Sequence, residues 1–297
     1  MSTYTTDIFK YIEKLPSRSS SKLPEVLQFT NPSAEAILFR LLMGTIDLHH
    51  IHEGVDIKQR KNYSMFGSVT SNHRLSYRTF EDCPITLQDD PESIDKYFKK
   101  NRSNNKLFEN VLSEISYYFY YKNKNSYSSG FIHLYRCLEY LSFSFPMIYA
   151  SKSHEYIGTF KKLQSFFKGD ISELKFFKRF LSTLLDSTTQ SIYIDVNLRA
   201  TSHTLIDNYK SIIDDLLQGK DYSYNNYIFS IKCIDYYDFL LKLRNRFFHF
   251  LSGSTNNNIP TTKIHVEEFF ENINDGALNF ISALFFEICK FGIEQES

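Results

Sequence analysis

The chain has 297 residues, enough for one large domain, or for a domain with a smaller extension, around a real core. Its 34 Lys and Arg balance 34 Asp and Glu, which excludes a global basic field, so any nucleic-acid contact must be local. Cys83, Cys137, Cys233 and Cys289 are far apart and form no CxxC pair, which excludes a zinc knuckle or a disulfide framework and fits a reducing cytoplasm.

In chain order, Thr6 and Asp7 read as the cap of a short helix through Leu15, and Pro16 to Ser21 as a loop. Ala34 to Leu48 carries Ile37, Leu38, Leu41, Leu42 and Ile46 at helical spacing. From Tyr63 to Leu87 the pattern is short and β-like, with Phe66, Val69, Leu75, Tyr77 and Phe80 broken by turn formers. Residues 1–105 are thus expected to be a mixed α/β extension with a regulatory or sensing role. The polar, Asn-rich run Lys99 to Lys106 is the expected boundary.

Residues 106–297 read as helical almost throughout. Leu107 to Tyr121 is one amphipathic run. Ser128 and Ser129 are expected to cap a second, with Phe131, Leu134, Leu138, Leu141 and Phe145 on its apolar stripe until Pro146 stops it. Shorter helices follow over Tyr156 to Phe167, Ser172 to Leu185 and Ser202 to Leu217. A loop over Asp221 to Asn226 leads to a helix over Tyr227 to Phe250, and Thr261, Thr262, Glu267 and Glu268 announce a last helix to Phe291. The expected fold class is mainly α, an antiparallel helical bundle with the smaller mixed α/β extension. The polar start of the chain and the lack of a long uncharged apolar run lead us to expect a soluble, cytoplasmic protein with no membrane partner.

The chemistry concentrates in Arg244-Asn245-Arg246-Phe247-Phe248-His249. A guanidinium that is always charged stands beside an imidazole that titrates near neutral pH, and that pair can cleave RNA without a metal. On a helical wheel Tyr236, Leu240, Leu243, Phe247 and Phe250 form the core stripe, while Asp238, Lys242, Asn245 and His249 form a polar line roughly opposite. Arg244 is the only polar residue on the line Tyr237, Leu241, Arg244, Phe248. It therefore needs an acceptor, whether a carboxylate on another helix, a partner subunit or a phosphate. Asn245 lies one turn before His249 and is placed to orient it. Arg244 and His249 stand about 7.5 Å apart along the axis and about 140° apart around it, so two copies meeting on a two-fold axis would surround one phosphate better than one helix does.

This segment resembles the Arg-x4-6-His signature of the HEPN (higher eukaryote and prokaryote nucleotide-binding) superfamily, in its Arg-Asn-x-x-x-His form. The helical layout from about Leu107 to Phe291 is similar as well, and residues 1–105 match nothing in the family. The resemblance implies a HEPN-like bundle and a metal-independent endoribonuclease with no cofactor, built as a homodimer with a composite active site. Such proteins serve as toxins, abortive-infection proteins and antiviral effectors, so an antitoxin or a phage-derived trigger is an expected partner. Glu139 matches the family's acidic residue on an early helix and is the expected acceptor for Arg244. His249 would serve as general base on a ribose 2′-OH or as acid on the leaving oxygen, and Arg244 would stabilise the phosphorane. Arg246 and Lys242 are candidate RNA contacts. The alternatives are a catalytically silent HEPN-like module that binds a nucleotide, RNA or a protein, and a structural helical dimerisation domain.

Two other clusters carry less weight. His49, His50, His52 and Glu53 have the residue types of a metal site but not HExxH spacing, and a solvated helix end is the expected reading. His133 and Arg136, one turn apart and near Glu139, are expected to be ordinary surface polarity.

Overall fold

The computed structural model describes residues 3–71, 75, 77–80, 83, 85, 91–166, 173–248 and 258–296. The chain opens with β1 (Thr3–Thr5), β2 (Phe9–Glu13), α1 (Ser17–Ser20), α2 (Ala34–Leu42), β3 (Ile46–His50) and β4 (Val55–Ile57). These strands form one antiparallel sheet in the order β1-β2-β3-β4. The hairpin β5 (Lys61–Met65) and β6 (Ser68–Ser71) follows, then α3 (Pro91–Lys100), α4 (Asn105–Asn123), α5 (Tyr127–Lys152), α6 (Tyr156–Phe166), α7 (Glu173–Leu184) and α8 (Ser187–Ser191). A third antiparallel sheet, β7-β9-β8, is made by β7 (Tyr193–Asn197), β8 (Tyr222–Asn225) and β9 (Ile228–Lys232), with α9 (His203–Leu216) between β7 and β8. The chain ends with α10 (Cys233–Phe248) and α11 (Val266–Glu294).

The expected bundle with an extension is corrected by these sheets. A three-stranded sheet sits inside the region expected to be helical almost throughout, and residues 9–63 contribute side chains to the same core as the rest. Ile228 to Lys232 is a strand that buries Phe229 and Ile231 alternately, and the helix starts only at Cys233. The expected loop over Asp221 to Asn226 is mostly β8, and Asn226 takes a φ of +55° in the turn to β9, which Asn tolerates better than most residues. Near the start of the chain, Phe9 and Tyr11 are buried while Lys10 is exposed, the alternation of a strand where a helix was expected. Five residues are too few for periodicity to separate the two. Pro16 to Ser21 contains the short α1. Helix α2 ends at Leu42, not Leu48, because Gly44 turns the chain at φ +71° into β3.

Pro146 does not end α5, which runs on to Lys152. The lost backbone bond is outweighed by burial on both sides of the proline, at Phe145, Ile148 and Tyr149. Helix α5 begins at Tyr127, one residue before the expected caps. Ser128 instead gives its N–H and hydroxyl to Glu267.

Helix α11 is apolar on almost every side, with buried residues from Phe269 to Ile293. It is long and apolar enough to cross a membrane, yet 83% of its apolar window is buried in the fold, as in the core helix of a soluble protein. Helix α5, β5, β7 and α3 pack around it. Two glycines bring partners close: a Cβ on Gly292 would lie 2.2 Å from the Tyr97 ring, and one on Gly276 would lie 2.6 Å from the Tyr236 hydroxyl.

The Asn-rich run at 99–106 is helical and joins the two halves. The buried Asn101 donates to Glu35 at 3.3 Å, and Asn105 accepts from the Ala34 N–H at 2.9 Å, at the start of α2. The sheet end of the core is held by the fully buried Arg40, which pairs with Glu13 at 2.5 and 2.6 Å and donates to the Leu27 carbonyl at 3.2 Å.

Glu35 also accepts from Tyr97 at 2.9 Å, and burial raises its pKa from 4.5 to about 8, against the lowering effect of these hydrogen bonds. The unfolded chain ionises this group near its ordinary value and the folded protein only near 8. Stability from this group is therefore present below the unfolded value and falls as pH rises to about 8. Glu35→Gln should flatten that slope, on the order of a few kcal/mol across the window, in urea unfolding measured from pH 5 to pH 8 and compared with the wild type (roughly, by linkage).

Candidate functional site

The last turns of α10 are fixed by aromatic packing. Phe248 stacks on Phe131 of α5 at 6.0 Å with an 8° interplanar angle, and Phe247 meets Phe270 of α11 edge-on at 4.8 Å. Tyr236, Leu240 and Leu243 are buried, as the core stripe requires. The chain returns to this end of α10 where the Ile259 N–H donates to the Arg246 carbonyl at 2.9 Å.

Arg244 therefore faces α5. Its guanidinium lies 4.6 Å from the Tyr135 ring centre and 3.8 Å from the Glu139 carboxylate, the acceptor expected from the sequence. Nη1 also donates to the Asn245 Oδ1 at 3.1 Å, so the Asn245 carbonyl is turned toward the arginine. The Arg244 side chain is 28% exposed and Glu139 48% exposed, which makes this a solvent-screened pair at the rim of the core. Below it, the Tyr135 hydroxyl is buried with no hydrogen-bond partner among the described residues. Burial raises the Tyr135 pKa, partly offset by Arg244, so the group is a neutral O–H donor near neutral pH. A partly exposed guanidinium backed by a ring face and an amide can take an anion from the solvent side.

His249 lies outside the described residues. Lys242 and Arg246 face away from Arg244 toward α9: Lys242 donates to the Leu216 carbonyl at 2.8 Å and Arg246 pairs with Asp215 at 2.6 Å. Their spacing of four puts them on one face, and Arg244 sits on the other.

Glu114, which the sequence did not single out, gathers His133 at 2.7 Å and Arg136 at 3.0 Å. The His133 ring stacks on Tyr117 at 5.1 Å and on Tyr121 at 5.2 Å. His133 and Arg136, on α5, are therefore paired to Glu114 of α4 and are not part of the Arg244 cluster. His49 pairs with Asp56 across β3 and β4 at 2.7 Å, on strands where a helix end was expected. No group of metal-binding side chains occurs among the described residues.

The chain was compared with protein-family models, curated proteins and solved structures, and it matches none of them.

A screened pair at 3.8 Å contributes little to folding. In a double-mutant cycle of Glu139→Gln and Arg244→Gln, the coupling read from urea unfolding should be below about 1 kcal/mol. A larger value would mark the pair as a structural tie.

Proposed function

We propose that the Arg244 to His249 motif is the active centre of a metal-independent endoribonuclease. His249 takes the proton from a ribose 2′-OH, whose oxygen attacks the adjacent phosphorus. The bond to the 5′-oxygen breaks and that oxygen takes a proton from water, while His249 returns its own proton to the solvent, leaving a 2′,3′-cyclic phosphate and a 5′-OH. Arg244 neutralises the charge that grows on the phosphorane. The observation that carries this reading is the setting of Arg244: a partly exposed guanidinium braced by Tyr135, Asn245 and the loosely held Glu139. In this reading the phosphate displaces Glu139, because a charge-assisted contact with two oxygens is stronger than a screened pair at 3.8 Å. The protein would act in the cytoplasm as the toxic effector of an antiviral or toxin–antitoxin system, restrained by an antitoxin or released by a phage-derived trigger.

A composite site across a homodimer has independent support on α5. Ile132, Phe143 and Met147 are 42%, 52% and 47% exposed, and they lie on one helix face with Arg136 and Glu139 between them. Exposed apolar side chains in a row around a functional carboxylate are what a self-complementary contact would cover. A catalytically silent module that binds a nucleotide, RNA or a protein is the second reading, and in it Lys242 and Arg246 serve the packing of α10 on α9 and not an RNA backbone.

The reading is tested by incubating a mixed RNA in EDTA with the wild type, Arg244→Ala and His249→Ala. Cleavage by the wild type with cyclic-phosphate ends, slowed about 10²–10⁴-fold in each variant, is expected. Equal cleavage by all three would show that another group or a contaminant does the chemistry, and RNA binding without cleavage would favour the silent module. Phe143→Glu should shift the protein from dimer to monomer in sedimentation and lower cleavage at least about tenfold, because a buried charge at the contact is costly. A monomeric and fully active wild type would remove the dimer from the mechanism.

A further inference from the structure

A cleft of about 750 Å³ opens between the β5–β6 hairpin, α4, β7 and α11, away from the residues of the Arg244 cluster. Its volume is that of a small-molecule site. Asp275 on α11 stands at one end and is contacted by Lys61 from β5 and by Lys122 from α4, the latter at 2.5 Å. The Tyr63 and Tyr118 hydroxyls donate to the same carboxylate at 3.1 and 3.4 Å. Burial alone would raise the Asp275 pKa, but Lys122 and Lys61 hold it down to about 2. The carboxylate is thus ionised and its acceptor capacity is largely used.

The two ammonium groups are not used up in the same way. Each carries three N–H donors. Lys61 spends one on Asp275, and Lys122 spends two, on Asp275 and the Tyr118 hydroxyl. Both lysines line the cleft with Arg199, Asp195, Glu268 and Glu271, and what they offer there is unspent N–H donors, two on Lys61 and one on Lys122 among the hydrogen bonds of the described residues. The burial of Lys122 lowers its pKa, so its charge is held at a cost that a bound anion would reduce.

A second, independent observation lies one residue from Asp275. Asn274 is 2% exposed and lines the cleft, and its amide donates to the Tyr127 carbonyl at 2.8 Å. Its Oδ1 accepts no hydrogen bond among the described residues. A buried amide oxygen left without a donor is destabilising, and such atoms are uncommon in folded proteins. Glu271, exposed on the same helix, accepts from the Tyr127 hydroxyl at 3.1 Å, lies near enough to Lys122 to attract its charge, and adds a further acceptor on this wall. Cationic donors at one end therefore face uncommitted acceptors beside it.

We propose that this cleft binds a small phosphorylated molecule that also carries hydroxyl or amino groups, a sugar phosphate or nucleoside phosphate in chemical class. Its phosphate lies on Lys61 and Lys122, and its donor groups meet Asn274 Oδ1 and Glu271. A phosphate suits the pair better than a carboxylate, because two ammonium groups can serve separate oxygens of one dianion. The rest of the wall is already braced: Asn279 ties the β5–β6 turn to α11 through the Met65 carbonyl at 2.6 Å and the Ser68 carbonyl at 3.1 Å, so the site is preformed.

Titration calorimetry on the full chain tests this with glucose 6-phosphate, AMP and inorganic phosphate, against glucose, adenosine and glutamate. Glucose 6-phosphate or AMP should bind at least about tenfold more tightly than its unphosphorylated counterpart, than glutamate and than inorganic phosphate. Lys61→Gln should weaken that binding at least about tenfold. Ala200→Trp, which fills the cleft without touching the Asp275 network, should abolish it while the melting curve stays that of the wild type. The proposal is overturned if no phosphorylated probe binds at about 10 mM, if glutamate binds equally well, or if both folded variants bind like the wild type.

Discussion

Helix α11 is the constraint on which the other elements depend. A helix with apolar residues on nearly every face cannot lie on a surface and must be surrounded. Helix α5 covers one side, α3 and β5 a second, and β7 a third, so the early part of the chain is recruited to close a core that ends near residue 293. The burial of Phe39 against Phe286 at 4.9 Å and of Tyr97 against Gly292 shows how tightly that closure is made. This is why residues 3–71 do not behave as an appendage.

The polar residues of α11 acquire their meaning from the same arrangement. Asn274, Asp275 and Asn279 lie on a helix that otherwise buries hydrocarbon, and each is answered by an element from the first half of the chain or bordered by the cleft. A buried carboxylate must be paired, and Lys61 and Lys122 reach it from two different elements. The helix that organises the core thereby also places charges at its edge.

The Arg244 cluster obeys a different economy. Aromatic side chains from α5, α10 and α11 lock the last turns of α10, while the guanidinium itself is held by one ring face, one amide and a distant carboxylate. Rigid backing with a loosely committed cation is the arrangement that lets a side chain exchange partners without moving its helix. Lys242 and Arg246, close in sequence, are spent on α9 because a helix turns about 100° per residue.

Much of the local structure was legible in the sequence. The helices over 156–166 and 203–216 follow from apolar spacing, and Ser202 caps α9 through the Leu205 N–H as its position implies, whereas α11 starts later than Thr261 and Thr262 announced, with His265 as its cap before Glu267 and Glu268. The Arg244 to Glu139 juxtaposition was legible too, through the motif and a single matching acid. Strands of five residues were not, because Phe9 to Glu13 and Ile228 to Lys232 satisfy a helical and an extended pattern equally until a partner strand supplies the hydrogen bonds. Those partners come from Ile46 to His50 and Tyr193 to Asn197, and pairing at such range leaves no local trace. By itself the sequence determined the periodic helices, the apolar character of the last one and the chemical types at 244–249. Only the tertiary structure decided which cation meets which carboxylate, because Lys61, Lys122 and Asp275 come together through packing around a buried helix and not through any spacing along the chain.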